Sequence, residues 1–160
     1  MGCTASARWA FRGLDRAGFW PSFWQTGTGV VMVHEGGCLC GTIRFRATGL
    51  PGGPHSCSCR MCQRHSGALT TCWVEFPATA VEWIGPGGRP ALFRSSPGSS
   101  RAFCATCGSS LGAVDDAPVV ALLTGVFDKP HLTALKPLSH SYRSRRPVWW
   151  HPTVQGEQTG

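Results

Sequence analysis

The chain has 160 residues with 42% hydrophobic content, which suits one domain with its own core. Only 14% of residues are charged, and 21 Gly and 12 Pro break up the pattern, which argues against a helical bundle and for a turn-rich β domain. The net charge of +7 rests on scattered Arg residues; only Arg143, Arg145 and Arg146 lie close together, so the dense basic stripe of a nucleic-acid surface is missing.

Residues 1–31 hold Trp9, Phe11, Phe19, Trp20, Phe23 and Trp24 without clean period 2 or 3.6. Patterning begins at Met32, so 1–31 is expected to be a doubtful or disordered extension with Met32 as an alternative start. The rival reading is a real extension that docks its aromatics on the domain. The patterned domain is expected over 32–150, with 151–160 as a tail. Thr42–Arg46 alternates as a strand, with Ile43 and Phe45 on one face. Further strands are predicted at Thr70–Phe76, Val81–Ile84, Ala91–Arg94, Arg101–Phe103 and the apolar run Pro118–Thr124, and one short helical turn after Cys59. The fold class is therefore mainly β.

Nine cysteines are an odd number for a disulfide framework. The N-terminus carries Arg8, Arg12 and Arg16 but no apolar run of a secretory signal, and no stretch approaches the roughly 18 apolar residues of a membrane span. The cysteines thus read as metal ligands in a reducing cytoplasm, with no membrane and no nucleic-acid partner expected.

Seven of them form three clusters: Cys38-Leu39-Cys40, Cys57-Ser58-Cys59-Arg60-Met61-Cys62 and Cys104-Ala105-Thr106-Cys107. Zinc takes four ligands in a tetrahedron, and two close pairs from distant segments can close one structural site. Cys38, Cys40, Cys104 and Cys107 are assigned to it, each pair being followed by a glycine that permits a tight turn. Cys57, Cys59 and Cys62 are three thiols within six residues, the pattern of a second zinc with an open fourth position. The competing reading closes that site with His55, His65 or Cys72. Cys72 otherwise reads as a buried small hydrophobe, and Cys3 belongs to the doubtful N-terminus.

Gly36-Gly37-Cys38-Leu39-Cys40-Gly41-Thr42-Ile43-Arg44-Phe45 resembles the opening motif of the glutathione-dependent formaldehyde-activating enzyme (GFA) family, whose domain is shared with centromere protein V. The stretch from Cys57 to Arg64, followed by Ser66-Gly67, resembles the family's second motif, and Ser95–Ser109 its third. The resemblance covers about residues 32 to 150. It implies a compact single domain of several small coiled β-sheets organised around two zinc ions per chain. One is structural, on Cys38, Cys40, Cys104 and Cys107; the other lies at the active site, on Cys57, Cys59 and Cys62.

The activity it implies is the condensation of glutathione with formaldehyde, formally a carbon–sulfur lyase run backwards. A thiol becomes a good nucleophile as its thiolate, and a zinc-bound thiol loses its proton readily. Arg60 and Arg64 lie beside the second site in sequence and are the expected contacts for glutathione's carboxylates, unless they are ordinary surface charge. The expected partners are therefore a small thiol such as glutathione and a small aldehyde. The family often has His where this chain has Ser58, which puts any acid–base role of that position in doubt. The alternative function is a non-catalytic zinc module that binds a partner protein.

Overall fold

The computed structural model describes residues 31–150. The aromatic stretch 1–30 with Cys3, and the tail 151–160, lie outside the described residues.

Among the described residues, ten strands and one α-helix follow in chain order: β1 (Val33–Gly37), β2 (Arg44–Thr48), β3 (Gly52–Cys57), α1 (Arg60–Ser66), β4 (Thr71–Pro77), β5 (Val81–Trp83), β6 (Ala91–Ser96), β7 (Ser99–Phe103), β8 (Ser110–Asp115), β9 (Val119–Leu123) and β10 (Ser139–Ser141). The strands form a three-stranded sheet, β1-β2-β5, and a seven-stranded sheet in the order β10-β3-β4-β9-β8-β7-β6. The mainly β reading holds. Every pairing is antiparallel except that of β10 with β3.

Side chains alternate along β4, and the alternation gives the large sheet two distinct faces. Val74 and Phe76 look one way, beside Leu122 and Val120 of β9, and meet Phe45 and Ala47 of β2 in the main core. This is where the small sheet packs on the large one. Phe127 closes that core at 5.1 Å from Phe45, ring centre to ring centre, edge to face. Trp73 looks the other way, with Leu123 and Ala113, and packs with Cys57, Cys59 and Cys62 in a second cluster. β9 lies within the apolar run Pro118–Thr124 and is a central strand covered on both faces, which is why it is apolar throughout. Gly112 of β8 lets that sheet close up: a Cβ there would lie 2.2 Å from the Ala121 carbonyl oxygen.

Two predicted boundaries moved for a local reason. The strand predicted at Thr42–Arg46, β2, starts at Arg44 rather than Thr42, because Ile43 belongs to the preceding cysteine loop. Its carbonyl accepts from the Cys38 N–H at 2.9 Å, and its own N–H donates to Cys38 Sγ at 3.2 Å. The helical turn after Cys59 extends to a seven-residue helix, capped at its end by Gly67, whose φ is 75°.

Candidate metal centres and the thiol site

The first group of thiols is built by two loops. Cys38 and Cys40 follow β1, and Cys104 and Cys107 follow β7. Each loop turns back on itself, Gly41 N–H to the Cys38 carbonyl at 3.1 Å and Gly108 N–H to the Cys104 carbonyl at 2.9 Å. Gly41 and Gly108 have φ of 76° and 75°, the left-handed region that side chains resist, so both glycines are required by conformation. The loops are joined by the Ser109 hydroxyl, which accepts from the Leu39 N–H at 3.0 Å and lies 3.2 Å from Cys107 Sγ.

The four sulfurs lie within 4.8 Å of one another, with Cys38–Cys40 at 3.5 Å and Cys40–Cys104 at 3.8 Å. Ligands about 2.3 Å from a central zinc in a tetrahedron stand roughly 3.8 Å apart, so the group fits such an ion. Cys38 and Cys104 are buried and Cys40 is exposed, which places the group at the rim of a third apolar cluster with Ile43 and Leu111. Hydrogen bonding to Ser109 holds the Cys107 thiol down to about 5, and that to Thr42 lowers Cys40, while burial raises Cys38.

The second group sits at the end of β3 and the start of α1. Cys57 is the last residue of β3, Cys59 is the N-cap of α1, and Cys62 lies in its first turn. Cys59 Sγ accepts from the Cys62 N–H at 3.4 Å. All three are at least nine-tenths buried and their sulfurs lie within 4.8 Å of one another. Hydrogen bonds from Cys57 and then Cys62 hold the Cys59 thiol down to about 2, and the same contact with Cys59 pushes Cys57 up to about 11. Cys62 is raised as well, by Cys57 first. Three buried thiols converging this closely, with Cys59 held low by the other two, are the soft donor set that suits a zinc ion.

No fourth ligand joins this triad among the described residues. Cys72 pairs across from Ser56, one step out of phase with Cys57, so it faces the opposite side of the sheet and contacts Ser56 Oγ at 3.7 Å. His55 Nδ1 lies 2.7 Å from the Gly53 carbonyl oxygen. His65 stacks on Trp73 at 6.3 Å, and burial, followed by the charge of Arg101, lowers its pKa.

The loop that carries the triad is fixed by Gln63, a residue the sequence did not single out. Its buried amide donates to the carbonyls of Ser58 and Leu69, both at 3.1 Å, and its oxygen accepts from Arg60 Nη1 at 2.6 Å. Arg60 and Arg64 are exposed on α1. The cation that touches the thiol cluster is instead Arg101 of β7: its Cζ lies 5.3 Å from the centre of the Trp73 ring and its Nη2 lies 2.9 Å from Met61 Sδ. Glu75 is half-buried on the Trp73 face, and burial, then Asp115, raises it to about 7.

The family model for the glutathione-dependent formaldehyde-activating enzyme matches residues 33–145, the whole span that carries both thiol groups. The chain belongs to this family. A crystal structure of a Rhodobacter sphaeroides protein from structural genomics shares the fold, with a TM-score of 0.53 over 67% of this chain and 99% of that one, at 16% identity. A search among curated proteins returns no match. No helix among the described residues is long and apolar enough to cross a membrane.

Proposed function

We propose that this family member is a zinc-dependent enzyme of the carbon–sulfur lyase type, which adds a thiol such as glutathione to a small aldehyde or catalyses the reverse. The observation that carries the reading is the buried Cys57, Cys59 and Cys62 triad with no fourth ligand among the described residues. In the balanced reaction a new S–C bond forms, the carbonyl π bond breaks, and the thiol proton ends on the new hydroxyl oxygen.

Cys38, Cys40, Cys104 and Cys107 would hold a structural zinc, and Cys57, Cys59 and Cys62 a second one, giving two per chain. When bound at the triad, zinc supplies a soft cation that favours the thiolate form of an incoming thiol. The chain's own contribution is positioning and desolvation. Trp73, Leu123 and Ala113 pack around the three sulfurs and keep water away from them. Gln63 holds the loop between Cys57 and Cys62 in one geometry through its paired carbonyl contacts. Arg60 and Arg64 remain assigned to glutathione's carboxylates from the solvent side, where both are exposed.

The alternative is a non-catalytic zinc module that binds a partner protein, which needs a filled coordination sphere. Turnover separates the two. Purified protein with formaldehyde and glutathione should form adduct faster than the spontaneous reaction, and faster than Cys59→Ser at equal concentration. Equal rates for wild type, Cys59→Ser and buffer would rule out the enzyme reading for this substrate pair.

A further inference from the structure

Arg44, Arg46 and Arg94 lie at the surface, and each is paired with a carboxylate: Asp128, Glu35 and Asp116. Such exposed pairs contribute little to stability. Arg101 is half-buried, as Arg44 is, but has no carboxylate partner among the described residues. Its Nε is buried without a hydrogen-bond partner. Its Nη2 meets only the thioether sulfur of Met61, a weak acceptor, and its guanidinium lies over the Trp73 ring. Leaving a guanidinium donor desolvated and unpaired costs free energy that an acidic neighbour would have offset.

The register of the sheet places this cation at the thiol site. Arg101 pairs with Ala113 across β7 and β8, and Ala113 belongs to the buried cluster of Cys57, Cys59 and Cys62. Both groups that Arg101 touches, Trp73 and Met61, pack in that same cluster. His65 stands nearby but can offer Arg101 no negative charge in either protonation state; burial, followed by the Arg101 charge, lowers its pKa.

We infer that Arg101 is the specificity-determining anchor for a carboxylate carried by the substrate thiol, held by its guanidinium while the sulfur reaches the triad. The inference rests on the thiol-addition reading above and adds the residue, beyond Arg60 and Arg64, that makes an acidic thiol bind in preference to a neutral one. A guanidinium presents a planar fork that matches a carboxylate with two parallel hydrogen bonds, and Trp73 and Met61 hold that fork on the cluster.

Calorimetric titration of the zinc-loaded full chain tests this, with glutathione, its S-methyl ether and neutral 2-mercaptoethanol as ligands. Arg101→Gln should weaken glutathione by about 10- to 100-fold and leave 2-mercaptoethanol unchanged. Arg101→Lys should recover part of the loss, since it keeps the charge without the fork. If Arg101→Gln does not fold, Arg101→Lys still carries the test through the ratio of the two affinities. Parallel losses for both thiols, or no loss for glutathione, would overturn the inference. If 2-mercaptoethanol binds and Arg101 makes no difference to glutathione, the anchor falls and thiol addition stands. If the S-methyl ether binds through Arg101 while neither free thiol reaches the triad, the anchor stands and thiol addition falls.

Discussion

The Ser58 hydroxyl lies 2.8 Å from His140 Nε2, joining residues 82 apart in the chain. Ser58 is fully buried between two cysteines of the triad, and its oxygen also meets Thr70 Oγ1 at 2.9 Å. The residue between the first two thiols of the triad is thus linked to an imidazole from β10. Parallel pairing of β10 with β3 brings the two together, His140 opposite Ser56. Ser58→Ala would remove a fully buried hydroxyl from two half-buried partners and should cost about 1 kcal/mol. The check is chemical denaturation; a change within a few tenths of a kcal/mol would show that the network contributes nothing.

Two equivalents of zinc should be found by elemental analysis of the reduced protein, from the two thiol groups. Cys104→Ala should lose one equivalent and cooperative unfolding with it, since a structural zinc contributes on the order of 10 kcal/mol in small domains, as much as a whole domain's stability. Cys59→Ser should lose the other equivalent and keep a cooperative transition.

Glu75 supplies a pH dependence whose sign can be worked out. Its carboxyl is raised to about 7 from an ordinary value of 4.5, so between those values the folded state binds more protons than the unfolded state. Stability therefore falls as pH rises through this window, and the loss is complete above it. Glu75→Gln should be more stable than wild type at pH 8 by about 1 to 2 kcal/mol, discounted from the full shift because solvent reaches part of the carboxyl. The advantage should vanish by about pH 4.5. Parallel stability curves across that range would contradict it.

A chain starting at Met32 should fold and keep both thiol groups, because β1 begins at Val33 and the family match begins there too. Loss of solubility on that truncation alone would show that the aromatic segment belongs to the core.

Much of this was legible in the sequence. β4, β5, β6, β7 and β9 fall where alternation or apolar runs placed them, since their faces meet the core or flank it. Both thiol groups assembled as their spacing suggested. β3 has no strand signal in the sequence, because Gly52, Gly53 and Pro54 are residues that favour turns; the strand accommodates them with a register shift between Gly52 and His55 and a φ of 50° at Gly53. β10 is three polar residues with little strand propensity, held by its pairing with β3 and by the Ser58–His140 contact. Arg101 was read only as part of a strand, because nearness in sequence pointed to Arg60 and Arg64. Only the register of β7 on β8 brings Arg101 to the thiols.

Thiol entry at Cys57, Cys59 and Cys62 is the claim on which function turns. The most direct measurement is the absorption spectrum of cobalt-substituted protein titrated with glutathione. A gain in sulfur-to-metal charge-transfer intensity, saturating at one equivalent per chain and absent in Cys59→Ser, is the expected result. A spectrum unmoved by glutathione and by any smaller thiol would mean a closed coordination sphere, and would contradict the assignment of this site to carbon–sulfur chemistry.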